Sequence, residues 1–249
     1  MNAQLSTQKI KDLAKEKGAD IVGIADLTLL KGIFTYPKNL LRRDKHGILI
    51  GVNLEQYDSY DNTTEDKAFA YLEEIAKHVQ EYIRSQGFKS KVIPCDERVK
   101  REGPLYWKGA ISHKAVAKTA GLGWIGKSML LVTPNFGPRV CLITVLTNIP
   151  LVPNQPDKNK CGDCKECIKS CPINALVEVD FDDHPDKLEE AFDVSKCGPY
   201  IEKTWDMGNI CWSCLLACPY GKKQKGERAN SAVAKGNVAW PSARSGNSR

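Results

Sequence analysis

Apolar residues recur at helical spacing in two long stretches of the chain. Ile10, Leu13 and Ala14 share one face after Ser6, a helix-capping residue type, and Gly18 follows as a stop. From Thr64 to Ser85 the set Ala68, Leu72, Ile75, Ala76, Val79, Tyr82 and Ile83 predicts a longer amphipathic helix. Thr63 and Asp66 are spaced as a capping box for it, and Gly87 lies just beyond its end. Continuous apolar runs predict buried strands in ADIVGIAD (19–26), GILIGVNL (47–54), KVIP (91–94), SMLLVTP (128–134) and VCLITVLT (140–147). A short helix is expected from Ser112 to Ala120. Strands and helices in alternation predict an α/β domain over residues 1–152. The proline-rich IPLVPNQPDKNK reads as a linker-like boundary, followed by a cysteine-rich domain over 153–221.

Composition narrows the setting. Hydrophobic residues make up 42% of the 249 positions, enough for an ordinary core. No apolar run of about 18 residues occurs, so neither a transmembrane helix nor a membrane partner is expected. The N-terminal MNAQLSTQKIKDLAKEKGAD has no signal core and no twin-arginine pair, so the expected location is cytoplasmic. There, ten cysteines read as metal ligands rather than disulfides. The net charge of +6 is local: residues 222–249 hold seven Lys and Arg against Glu227, and the rest of the chain is balanced. That basic stretch is aperiodic and rich in Gly, Ser, Ala and Asn, the signature of a disordered tail.

The cysteines carry the strongest chemical signal. CGDCKECIKSCP places Cys161, Cys164, Cys167 and Cys171 in the C-x2-C-x2-C-x3-C-P run of bacterial ferredoxins, whose fourth cysteine serves a second cluster. A partner motif follows at Cys197, Cys211, Cys214 and Cys218, again ending in C-x3-C-P. The crossover rule assigns Cys161, Cys164, Cys167 and Cys218 to one [4Fe–4S] cluster, and Cys171, Cys197, Cys211 and Cys214 to another. Two structural zinc sites are the alternative, but they would not explain two interlocking C-x3-C-P endings. Cys95 and Cys141 fall outside the pattern; Cys141 reads as a small core residue, and Cys95 as either that or a thiol near a site.

AGLGWIGKSMLLV (120–132) spells both a dinucleotide fingerprint and a P-loop. Each needs a strand before the glycines and a helix after them. Here the order is reversed, with a helix before Gly121 and a strand after Lys127, so both nucleotide readings fail. What remains is either a tight connection or a loop that lets backbone approach a flat cofactor.

The stretch ISHKAVAKTAGLGWIGKSMLLVTPNFGPRVCLITVLTNIPL, followed by this order of cysteines, resembles the epoxyqueuosine reductases and, more distantly, the catalytic subunits of reductive dehalogenases. The resemblance runs from about Ile111 to Tyr220. It implies a nitroreductase-like, cobalamin-binding α/β domain joined to a two-cluster ferredoxin-like α+β domain. It also implies that Gly121, Gly123, Trp124, Ile125, Gly126 and Lys127 touch the corrin, with no protein histidine on cobalt. In keeping with that, D-x-H-x-x-G is absent: DDHPDK has Lys187 where glycine is required. Two family features are also absent. Nothing matches the Y-A-R-G-x-D-Y-H segment, and Trp107 stands where the family's acidic proton donor would align.

The expected chemistry is reduction of a small or nucleoside-type substrate by a corrinoid fed through the two clusters. Tyr106, His113 and Lys127, with Asp96, are the candidate proton donors. A ferredoxin- or flavodoxin-type donor is the expected partner, and a tRNA substrate is possible but not favoured. Two rivals stay open: a non-catalytic electron-transfer or corrinoid-reactivating protein, and a reductase holding FMN instead of cobalamin.

Overall fold

A computed structural model describes residues 2–30, 32–56, 62–95, 109–182, 185, 188–207 and 210–222. Helix α1 (Ala3–Glu16) begins earlier than Ser6 suggests. Asn2 is its N-cap, accepting hydrogen bonds from the backbone N–H groups of Gln4 and Leu5. Ser6 instead lies inside the first turn and donates its hydroxyl to the Asn2 carbonyl at 3.1 Å. Asn serves as well as Ser at a cap, and the first competent residue wins. Helix α2 (Asn62–Ser85) likewise starts before Thr63, so Thr63 and Asp66 sit within the helix rather than framing its entry.

Four strands form the sheet: β1 (Ile21–Asp26), β2 (His46–Asn53), β3 (Ser90–Ile93) and β6 (Val140–Thr147), in the order β1-β2-β6-β3. Helices are interspersed with the strands, yet β1 and β2 follow one another without an α-helix between them, as do β6 and the two short strands before it. Every pairing is antiparallel, with Ile24 opposite Ile48, Ile50 opposite Ile143 and Val92 opposite Val145. Both faces are covered, which explains why the strands read as unbroken apolar runs. Ile48, Ile50, Val52 and Ile143 share a core with Ile10 of α1 and with Leu72, Ile75 and Val79 of α2. Leu49 and Leu146 face the other way, into a core with Val116 and Ala117 of α3 (His113–Thr119).

The run 128–134 does not form one strand. It yields β5 (Leu131–Val132), paired with β4 (Trp124–Ile125) in a two-stranded hairpin, Trp124 opposite Val132. Met129, at φ 58°, makes the turn between them.

The proline-rich segment is docked along the body. Val152 N–H donates to Thr7 Oγ1 at 2.8 Å, and Asn154 N–H donates to the Ile24 carbonyl at 2.9 Å. Asn154 Oδ1 accepts from Ile24 N–H at 3.0 Å and from Lys11 Nζ at 3.1 Å. The exposed edge of β1 is thereby capped by side chain and backbone together. Among its described residues the cysteine-rich part then adds four helices: α4 (Glu166–Lys169), α5 (Leu188–Ala191), α6 (Val194–Asp206) and α7 (Ser213–Ala217). Among its described residues the strand content is one bridge, Leu176 to Phe192. Leu215 of α7 is buried in the core formed by α1, α2 and the sheet, so this part packs onto the body. Among the described residues no helix is long and apolar enough to cross a membrane.

Candidate iron–sulfur centre

Short turns present the first three cysteines. Asn159 Oδ1 accepts from Cys161 N–H at 2.9 Å, and Cys164 N–H closes on the Cys161 carbonyl at 3.1 Å. Cys167 lies in α4, Cys197 in α6 and Cys214 in α7, while Cys218 caps the end of α7. Ala175 N–H donates to Cys171 Sγ at 3.2 Å.

Burial raises the Cys167 thiol to about 11, helped by the charges of Cys161, Cys164 and Cys218. Cys197 rises to about 11 through burial and then Cys171 and Cys211. Cys214 rises to about 12 through burial and then Cys211, Cys197, Cys167 and Cys171. Cys218 is raised by burial and also feels Cys161 and Cys164, with the Tyr220 N–H and Arg139 opposing. Cys161, Cys164 and Cys218 are thus close enough to Cys167 to influence it, and Cys171, Cys197 and Cys211 to Cys214, which Cys167 also influences. As bare thiolates they would repel one another in a half-buried setting. Iron removes both costs at once, so the donor set fits the clusters. Among the described residues no group of three or more His, Cys, Asp or Glu side chains is placed to hold a single metal ion of any kind.

The glycine loop lies against this site. An added Cβ would collide with the Gln155 carbonyl at Gly121 (φ +67°) and with the Val132 carbonyl at Gly123 (φ +154°), and at Gly126 would stand 3.4 Å from Cys161 Sγ. Trp124 is only 1% exposed and donates its indole N–H to Cys161 Sγ at 3.4 Å. Tyr220 meets the indole edge-on at 4.8 Å, and Lys160 Nζ stands 5.4 Å from its centre. The space the glycines provide faces the protein's own backbone and, at Gly126, a cysteine sulfur, and the indole is enclosed. Ile125 is half-buried in the same hairpin and accepts from Asn159 Nδ2 at 3.2 Å through its carbonyl.

Of the candidate proton donors, Lys127 is a buried side chain whose Nζ pairs with Asp180 at 3.0 Å. Burial lowers its pKa, but Asp180, Glu178 and Cys161 together outweigh that and hold it charged. His113 Nδ1 lies 2.7 Å from Thr144 Oγ1, and Nε2 lies 3.0 Å from the Pro94 carbonyl. Nε2–H therefore donates to Pro94 while Nδ1 accepts from Thr144. Burial depresses the imidazole's pKa, so it is neutral with both nitrogens engaged. His113 thus has both ring nitrogens engaged, while Lys127 is a charged ammonium paired with one carboxylate. Asp96, Tyr106 and Trp107 lie outside the described residues, as does the tail from residue 223. Cys141 is buried in β6, its thiol strongly raised by burial, and Cys95 packs half-buried against the same core.

Three further buried polar groups escaped sequence reasoning. Arg139, 2% exposed, bonds to Glu55 and to carbonyls of the cysteine segment. Lys114 Nζ donates to the Met129 carbonyl at 2.6 Å; burial lowers its pKa, and the nearby Cys214 opposes that. Gln56 has both side-chain amide atoms buried with no hydrogen-bond partner among the described residues.

No protein-family model matches the chain. The curated proteins it resembles are reductases. They are named epoxyqueuosine reductases for the most part, as the sequence resemblance anticipated. The Bacillus anthracis enzyme is 44% identical over 126 residues, covering 46% of this chain and 30% of that protein. The Aliivibrio fischeri enzyme is 28% identical over 265 aligned positions, covering 90% of this chain and 68% of that protein. The match thus spans about a third of the length of the first curated relatives. An epoxyqueuosine reductase solved with an epoxyqueuosine-modified tRNA stem loop superposes with a TM-score of 0.63 at 20% identity, covering 88% of this chain and 66% of that one. A catabolic reductive dehalogenase in complex with 3-bromo-4-hydroxybenzoic acid gives 0.70 at 21%, covering 89% of this chain and 32% of that one. These structures share the fold of this chain.

Proposed function

We propose that the chain is an iron–sulfur reductase that carries electrons from an external low-potential protein through two [4Fe–4S] clusters to a corrinoid. The observation that supports this reading is the pair of cysteine motifs ending in C-x3-C-P, whose thiols influence one another across the two motifs. The clusters supply one-electron carriage at two adjacent points. The chain's own residues hold and shield them. Cys161, Cys164, Cys167 and Cys218 take the first cluster, and Cys171, Cys197, Cys211 and Cys214 the second. Trp124 and Tyr220 close the flank of Cys161 against water.

The corrinoid is proposed from the relatives, one of whose structures is described as explaining B12-dependent dehalogenation. Gln56 supports it: a buried amide with neither end satisfied costs about 1–3 kcal/mol, and the amide-bearing rim of a corrin would relieve that cost. A bound corrinoid supplies a reducing metal centre able to cleave an epoxide or a carbon–halogen bond. A small or nucleoside-type substrate is proposed. Epoxyqueuosine itself is disfavoured because the Y-A-R-G-x-D-Y-H segment is missing, even though one solved relative holds a tRNA stem loop.

Anaerobic reconstitution with iron, sulfide and hydroxocobalamin tests the proposal. The expected product retains about eight irons per chain and one corrinoid, seen by absorbance after desalting. Gln56→Leu should weaken corrinoid retention about tenfold while leaving the iron unchanged. Retention of iron without corrinoid selects the electron-transfer reading, and retention of FMN instead selects the flavin reading.

A further inference from the structure

The indole of Trp124 is fixed on every side that bears on Cys161. It is 1% exposed, it sits in β4 opposite Val132, and Tyr220 meets it at an interplanar angle of 80°. Tyr220 is itself tied down, its hydroxyl donating to the Lys160 carbonyl at 2.8 Å. An indole N–H is a donor only, and when buried it needs an acceptor. Here that acceptor is Cys161 Sγ, at 3.4 Å.

Resting on the reading of Cys161 as a cluster ligand, we infer that Trp124 is a positioning residue that sets the reduction potential of the cluster held by Cys161, Cys164, Cys167 and Cys218. Reduction adds a negative charge that is shared with the thiolate sulfurs. An N–H aimed at one of those sulfurs stabilises the reduced state more than the oxidised one, and burial strengthens the effect. The loop Gly121–Lys127 thereby acquires a role: it carries a side chain of the α/β body to the first cluster, and its glycines permit the close approach. The second group is served differently. Cys171 receives a main-chain N–H from Ala175 at 3.2 Å, which a change at position 124 leaves in place.

Trp124→Phe keeps a buried aromatic against Tyr220 and deletes the donor. In the anaerobically reconstituted full-length protein, redox titration followed by electron paramagnetic resonance should show one of two midpoint potentials falling. The expected shift is about tenfold in that cluster's reduction equilibrium, or about 59 mV for one electron, with the other potential and the iron content unchanged. Should the Phe variant not fold, 3-benzothienylalanine at position 124 replaces N–H by sulfur within nearly the same outline and should give the same fall. Unchanged potentials in a fully loaded variant overturn this inference and leave the cluster reading standing. So does an equal fall of both potentials, or loss of the first cluster from both variants, which would mark the indole as a structural prop. A wild-type protein that takes up no iron overturns both readings.

Discussion

Arg139 donates from Nε to Glu55 Oε1 at 2.8 Å, and this ion pair lies between the sheet and the cysteine helices. The far end of the same guanidinium donates to the carbonyls of Cys218 and Tyr220, the former at 3.3 Å. One buried cation thus ties β2's exit to the peptide that presents Cys218. Arg139→Met leaves Glu55 without its guanidinium and should cost about 3 kcal/mol of unfolding free energy. Arg139→Lys should recover only part of it, because an ammonium cannot span carboxylate and carbonyls as a planar fork does. Urea denaturation of the metal-free protein measures the first effect, and iron content after reconstitution shows the loosening at Cys218.

The crossed assignment of ligands has a signature that adjacent assignment lacks. Cys218→Ser should abolish the same cluster signal as Cys161→Ser, and Cys171→Ser the same signal as Cys214→Ser. Each variant should fall from about eight irons to about four. Paired spectra that group Cys171 with Cys161 instead would overturn the assignment.

The glycine loop should tolerate no side chain. At Gly121 the left-handed backbone and the Gln155 carbonyl both exclude a Cβ. Gly121→Ala should therefore destabilise the protein by about 1–3 kcal/mol, read by thermal unfolding of the metal-free form. Gly32, where an added Cβ meets nothing within 4 Å, is the control for backbone strain without a clash.

His113 makes stability depend on pH in a defined direction. Burial, opposed in part by the Pro94 carbonyl, holds its pKa below the ordinary 6.5. The fold therefore favours the neutral ring. Its contribution is complete above pH 6.5 and is lost as the pH falls from there through the depressed folded value. His46 is lowered by burial as well and adds to the same trend. Unfolding free energies measured between about pH 7.5 and pH 5 should fall more steeply for wild type than for His113→Gln.

What the sequence revealed follows the range of the interactions involved. The cysteine motifs were legible because their spacing is set within a few residues. Helix α2 was legible because one apolar stripe repeats over many turns. Strand direction was not, since apolar runs in Ile48–Val52 and Ile143–Val145 are the same whether partners run parallel or antiparallel. The role of Trp124 was hidden for the same reason, because the residue it bonds is 37 positions away. The loop's glycines were recognised as necessary. Their reason, close approach of protein to protein, has no local spelling.

The order of strands in the sheet also dictates an order of making. β6 lies between β2 and β3, yet it is the last of the four to be synthesised. The sheet cannot close until Thr147 has left the ribosome, and Asn154 seals the β1 edge only a few residues later. Cys161 follows directly. A chain that folds from its N-terminus as it emerges has all four strands of the sheet available for pairing before Cys161 appears. The cysteine segment then packs against a sheet already formed, with Leu215 completing its core.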